Sequence, residues 1–390
     1  MKILLCNKFY YRRGGDCVYV LNLEELLQSH GHEVAVFAMD HPDTLDTPWR
    51  KYFPSEVNLD STISKARFFM RSLGGGETAS RFIALLDAFK PDVVHLNNIH
   101  SQLSPVIAKL AHKRGCRVVW TLHDYKLLCP RYDCLKKGEI LCEACFNDKR
   151  NVLRNSCMKN SLPASVMAYC EAVKWNRSRL EACTDAFICP SLFMKAKMEQ
   201  GGFNADKLFH LCNFIVTDKC LRSDYGKRDD YYCYVGRLSS EKGVETLTRV
   251  AATLLHKLVV VGDGPLMEKL TKADNIAYVG RKDWQDVKRI VGRARFLVIP
   301  SECYENNPLS VLESLCLGTP VLGARIGGIP ELIDEGRNGL CFESGDKESL
   351  AFTIERMFQL DSNYSSIASE SLARFSSDNY YSRIMDIYNA

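Results

Sequence analysis

The feature that most restricts this chain is a rhythm: short runs rich in β-branched residues alternate with longer amphipathic stretches, and the series runs twice. The first series predicts strands at residues 2–6, 33–38, 92–96, 117–122 and 186–190, and the second at 231–235, 257–261, 276–279, 296–299 and 320–322. Strands separated by helix-length segments cannot close as hairpins. They pair through crossovers, which build a parallel sheet with helices on its faces. The expected fold is therefore α/β, with two Rossmann-like units separated by a Lys-, Asp- and Arg-rich break at 222–230. The predicted division is 1–212, 213–367 and a helical segment 368–390 whose aromatic residues are spaced to pack back onto the first unit. From residue 344 onward the pattern is helical throughout.

Composition removes several classes. With 390 residues, 46% hydrophobic and 25% charged, the chain is neither disordered nor fibrous and is long enough for two domains. Seventeen cysteines in a chain of this size read as reduced thiols rather than a disulfide scaffold. The apolar run at 3–6 is too short for a signal-peptide core, and no later run approaches a membrane span. A cytoplasmic protein is expected, with the inner face of the cytoplasmic membrane as a peripheral location. The net charge of +4 is carried by the first half without basic runs, which argues against nucleic acid and suits an anionic ligand or an acidic lipid surface. Residues 65–71, Lys-Ala-Arg-Phe-Phe-Met-Arg, can lie on such a surface with cations snorkelling, or can form an ordinary amphipathic helix.

Chemistry-bearing motifs concentrate in the second half. After the strand at 231–235, Gly236 opens a loop holding Arg237 and Lys242, at the strand edge where doubly wound folds bind ligands. An Arg fork and a compact Lys can neutralise a diphosphate, although a solvated basic loop has the same composition. Gly262-Asp263-Gly264-Pro265 is a sharp turn with Pro265 placed to begin a helix; its glycines admit a ligand backbone-close or simply make the turn. Glu305 precedes Pro308 at a helix start, and Glu313 lies inside that helix, eight positions on. Carboxylates there can accept hydrogen bonds from vicinal hydroxyls, with a cap and a surface acid as the plain alternatives. Arg325-Ile326-Gly327-Gly328 supplies another turn after a strand.

These four pieces in this order resemble the second domain of retaining GT-B glycosyltransferases of the family 4 type. The likeness extends to the first half, where Gly14-Gly15 resembles that family's N-terminal diglycine loop and Leu122-His123-Asp124 its histidine motif. The resemblance implies two Rossmann-like domains facing each other across a cleft that holds a UDP- or GDP-linked sugar. It implies that Arg237 and Lys242 hold the diphosphate, Glu313 the ribose and Glu305 the sugar hydroxyls. Gly14, Gly15, Gly236, Gly262, Gly264, Asn307 and Leu309 would complete the donor site, with His123 beside the sugar ring. One departure stands out: Pro308 occupies a position where many members have glycine, and it has no N–H to offer a phosphate. His95, Asn98 and His100 cluster at a strand end, where they can line an acceptor pocket or form a polar loop.

The implied activity is transfer of a sugar, with retention, to a hydroxyl of a glycan or lipid-linked glycan in surface polysaccharide assembly. Catalysis would need no metal or cofactor. A nucleotide-sugar epimerase of the same architecture and a non-catalytic nucleotide-sugar-binding protein are the alternatives. Between residues 129 and 157, Cys129, Cys142, Cys145 and Cys157, with Cys134 as an extra, have spacing that can close a structural zinc site. Buried free thiols explain the same residues.

Overall fold

The described residues of the computed structural model are 1–57, 61–221, 226 and 228–390; positions 222–225 and 227 of the expected polar break lie outside them. Residues Met1–Leu211 with Tyr381–Ala390 form one compact unit, and Cys212–Tyr380 the other.

In the first unit, β1 (Lys2–Cys6), β2 (Glu33–Phe37), β3 (Val93–Leu96) and β4 (Arg117–Thr121) precede a small antiparallel hairpin, β5 (Leu135–Lys136) and β6 (Ile140–Leu141). β7 (Ala186–Cys189) and β8 (Leu208–His210) follow, and the main sheet has the order β2-β1-β3-β4-β7-β8. Every pairing in it is parallel. The second unit contains β9 (Tyr231–Val235), β10 (Lys257–Val261), β11 (Ile276–Gly280), β12 (Leu297–Ile299), β13 (Val321–Ala324) and β14 (Gly339–Phe342), ordered β11-β10-β9-β12-β13-β14. Central strands are buried on both faces, so they read as continuous apolar runs rather than alternating ones. Trp120 and Phe187 stack in the first core, and Tyr232 and Phe296 in the second, with all four rings at or below 1% exposure.

Each sheet reverses direction once. In the first unit the chain lays β2 on one side of β1 and β3 on the other; in the second it lays β10 and β12 on opposite sides of β9. The loops leaving the two strands diverge at such a point, and the crevice between them is where open α/β sheets bind ligands.

Three details differ from expectation. β14 falls where the sequence pattern gives no strand, because it is short and opens on a glycine; its Gly339 is required since a Cβ there would stand 2.0 Å from the Val321 carbonyl oxygen. No α-helix starts at Pro265, where the chain makes only a 3-10 turn, Met267–Lys269. The terminal segment is two helices, Tyr364–Arg374 and Ser377–Asn389. From Tyr381 onward the last helix belongs to the first unit. There Tyr381 stacks on His30 at 3.6 Å, Tyr388 Oη meets His95 Nδ1 at 2.6 Å, and Arg117 Nε donates to the Ile387 carbonyl at 3.0 Å. Among the described residues, no helix is long and apolar enough to cross a membrane.

Candidate active site

The second unit's motifs gather along the C-terminal edge of its sheet. The loop after β9 carries Gly236, the exposed Arg237 and, in a short 3-10 turn, Lys242. Gly243 then turns at φ 66° to start the helix Val244–Ala251, and a Cβ on it would stand 1.8 Å from the Pro300 carbonyl oxygen. That backbone approach lays the Lys242 loop against the end of β12. Lys242 Nζ reaches Glu305 Oε1 at 2.6 Å, and the Ser301 hydroxyl donates to the same oxygen at 2.7 Å. Loss of solvation pulls the Lys242 ammonium down, but the neighbouring Glu305 carboxylate outweighs it and holds Lys242 above the usual lysine range. Burial pushes Glu305 up, yet Lys242 and Ser301 keep it below the usual carboxylate range. Both groups are therefore charged at neutral pH. Gly327, at φ 60°, and Gly328 wrap the Glu305 backbone, with the Gly328 N–H donating to the Glu305 carbonyl at 2.8 Å. These two glycines are positioning residues that the sequence shows only as a turn.

The remaining donor-side residues divide. Leu309 opens the helix Leu309–Cys316 behind Pro308, an N-cap that offers its first amides no side-chain hydrogen bond. Asn307, by contrast, is buried and committed to the chain itself: its Oδ1 accepts from the Asn213 N–H at 3.1 Å, and its carbonyl from Asn213 Nδ2 at 2.9 Å. Gly262 and Gly264 are explained by packing between loops. A Cβ on Gly262 would stand 1.9 Å from the Gly236 carbonyl oxygen, and one on Gly264 2.3 Å from that of Leu238. Glu313 is half-buried, and loss of solvation pushes its carboxyl up to about 8. Between the ordinary 4.5 and that value, the unfolded chain ionises this group while the folded chain keeps its proton, so rising pH weakens the fold across that window. Glu313→Gln is expected to raise stability by roughly 2 kcal/mol at about pH 8.5, below the full linkage value because the carboxyl retains some solvent, and to change little at about pH 5. Thermal melts of both proteins against pH check the sign.

On the first unit, Gly14 and Gly15 start the helix Gly15–Ser29 directly after the β1 loop. A Cβ on Gly14 would meet only the Asp16 carboxylate, at 3.5 Å, so packing does not demand glycine there. His123 follows β4, with its Nε2 at 2.9 Å from Asn97 Oδ1. Asn97 Nδ2 donates to the Cys6 carbonyl, which turns its oxygen towards His123; an amide oxygen only accepts, so Nε2 carries the proton. Burial pushes the imidazole down to about 4, and it is neutral at physiological pH. Asn98 is half-buried and donates from Nδ2 to Asp16 at 2.9 Å. His100 stacks on Trp120 and borders a cavity of about 720 Å³ that Lys126, Glu171 and Trp175 also line. His95 needs correction. It is fully enclosed, its two nitrogens facing Tyr388 and Thr121, so it anchors the last helix and lines no acceptor pocket.

A sequence profile described as Glycosyltransferase Family 4 matches residues 13–219, more than half of the chain, and one described as Glycosyl transferases group 1 matches 229–359. The chain belongs to glycosyltransferase family 4. This glycosyltransferase is 28% identical over 406 residues to N-acetyl-alpha-D-glucosaminyl L-malate synthase of Bacillus anthracis, covering 100% of this chain and 97% of that one. It is 25% identical over 378 residues to an uncharacterized 42.6 kDa protein in the cps region of Klebsiella pneumoniae, covering 91% and 94%. Among solved structures it matches sucrose-phosphate synthase from Thermosynechococcus elongatus at TM-score 0.72, with 17% identity and 100% and 98% coverage. It also matches Anabaena Alr3699/HepE in complex with UDP-glucose at TM-score 0.66, with 15% identity and 100% and 99% coverage. The fold of the glycosyltransferase is GT-B.

Two further sequence features of the glycosyltransferase are the cysteine cluster and the basic stretch 65–71. Cys129 lies within hydrogen-bonding reach of the Cys134 and Cys145 thiols, which hold it well below the usual thiol range. Cys134, left out of the expected zinc quartet, is one of the two thiols hydrogen-bonded to Cys129, and it is wholly buried at the start of the β5–β6 hairpin. Among the described residues, no three or more His, Cys, Asp or Glu side chains are arranged to hold a metal ion. In the helix Thr62–Ser72, Arg71 is 5% exposed and paired with Glu77 at 3.0 Å, so it faces the protein rather than a lipid surface.

Proposed function

We propose that this glycosyltransferase moves a sugar from a nucleoside-diphosphate donor to a hydroxyl of a glycan or lipid-linked glycan, with retention, in surface polysaccharide assembly. The observation that carries this reading is the pairing of Lys242 with Glu305 at the crevice between β9 and β12, beside the exposed Arg237. Departure of a nucleoside diphosphate builds negative charge on its phosphates. A lysine already oriented by a carboxylate, an arginine fork and the first amides of the helix Leu309–Cys316 are suited to receive it. Glu305 is held by two donors and so positions sugar hydroxyls rather than attacking the anomeric carbon; the departing phosphate oxygen can take the acceptor proton. His123, neutral and fixed through Asn97, can accept at Nδ1 from a sugar hydroxyl. Gly14 leaves room for a phosphate beside the backbone. The UDP and UDP-glucose named with Alr3699/HepE, and the cps region named with the Klebsiella protein, agree with a nucleotide-sugar donor and a polysaccharide setting.

The test is a thermal-shift panel of UDP, GDP, ADP and their sugar conjugates against the intact protein. One nucleotide class is expected to raise the melting temperature in proportion to its affinity, and Arg237→Ala is expected to abolish most of that rise. No response to any nucleotide overturns the donor reading. NMR of the product's anomeric proton then checks retention.

A further inference from the structure

The first unit has its own crevice, between the loops leaving β1 and β3, and the two are tied together there: the Lys8 N–H donates to the Asn98 carbonyl at 2.8 Å and the Asn98 N–H to Asn7 Oδ1 at 3.1 Å. The β1 loop presents Lys8, Phe9, Tyr11 and Arg13 immediately before the Gly14-Gly15 helix start. Two cations address one ring. Lys8 Nζ lies 5.0 Å from the centroid of Phe9, and the Arg13 guanidinium carbon 4.2 Å from it. Tyr11 packs edge-on against Phe9 at 5.4 Å and stacks on His41 at 4.7 Å, so the cations stand at the rim of a small aromatic wall.

Among the described residues, neither Lys8 nor Arg13 has a carboxylate within ion-pair distance. The nearby acids are engaged elsewhere: Asp16 receives Asn98 Nδ2 at 2.9 Å, and Glu56 faces His41 at 3.9 Å. The third cation of the neighbourhood, Lys126, is matched by Glu171 at 2.9 Å. Lys8 is half-buried, and the loss of solvation, followed by repulsion from Arg13, draws its ammonium below the usual lysine range. Lys8, partly withdrawn from water, and the exposed Arg13 repel each other across one ring, and Asp16 and Glu56 offset this only from beyond ion-pair distance, so an anion arriving between the two cations relieves the repulsion.

We propose that Lys8 and Arg13 bind a small anionic group, a carboxylate or a phosphate ester, carried by the acceptor sugar, whose ring lies against the Phe9–Tyr11–His41 wall. This makes the two cations determinants of acceptor specificity. It rests on the reading above only in assigning the bound sugar to the acceptor.

The experiment is isothermal titration of the full chain with methyl β-glucuronide, glucose 6-phosphate and neutral methyl β-glucoside, with and without UDP. Wild type, Lys8→Met, Arg13→Gln and the double variant are compared. At least one charged sugar is expected to bind tenfold or more tightly than the glucoside, with the advantage shrinking as salt is added. The double variant is expected to lose that advantage while its UDP-induced thermal shift stays at the wild-type value, which shows that the fold is intact. Whichever charged sugar binds better identifies a carboxylate or a phosphate as the group read. Equal binding of charged and neutral sugars, no binding of any, or a preference that survives in the double variant overturns the proposal. Charge preference without any UDP response would instead retain this site and remove the donor reading.

Discussion

Lys242→Ala is expected to lower sugar transfer by about 10²- to 10³-fold, the range found when one preorganised charge-stabilising donor is removed from an active site. Two effects combine. The leaving diphosphate loses a cation, and Glu305 is left half-buried and ionised, with the Ser301 hydroxyl as its remaining side-chain partner among the described residues. The second effect also destabilises the fold, so the melting temperature should fall along with the rate. Arg237 separates the two. It is exposed, and its replacement by Ala should reduce transfer with no change in melting temperature. Turnover with a radiolabelled donor, run beside calorimetry on both variants, checks the pair; near-normal rates in both would remove the diphosphate assignment.

The second large effect is on stability. Gly262→Ala forces a side chain into backbone at φ 140°, with the Gly236 carbonyl oxygen 1.9 Å from the new carbon. Neither partner is a flexible side chain that can swing away, so a loss of about 3 kcal/mol or more is expected, by relaxation of the two loops that carry Gly236 and Gly264. Gly14→Ala is the contrasting case. Its φ is −155°, open to any residue, and its surroundings are empty apart from Asp16, so stability should change by less than about 0.5 kcal/mol. If the N-terminal diglycine serves phosphate, transfer should nevertheless fall in that variant. Chemical denaturation of the two proteins, with activity measured on the Gly14 variant, compares a glycine kept for packing with one kept for a ligand.

That contrast shows what the chain discloses before it is folded. Strand positions were readable because parallel strands buried on both faces are largely apolar, as residues 186–189 are throughout and 93–96 are apart from His95. The loop after β9 was readable only in company: a solvated basic loop has the same composition, and it is the order of all four motifs that carries the resemblance. By contrast, β14 is four residues long, opens on glycine and carries no periodicity to detect. Glycines that packing demands cannot be sorted from the sequence, since Gly262 and Gly14 look alike until it is known that a carbonyl oxygen faces the first and only the Asp16 carboxylate lies near the second. His95 misleads for a related reason: a polar residue at a strand end suggests a pocket, and only the fold reveals Tyr388, nearly three hundred positions later, filling the space beside it. The same holds for Cys134, whose partners are chosen by a hairpin too short for its residues to predict.

The seat occupied by the last helix has a consequence for biosynthesis. Tyr381, Ile387 and Tyr388 complete contacts with His30, Arg117 and His95, which leave the ribosome hundreds of residues earlier. The amino-terminal half therefore waits through the translation of the whole carboxy-terminal half with the His95 imidazole uncovered. Its final consolidation waits until residues 381–388 have been made, and the unit is open to chaperone capture in the interval.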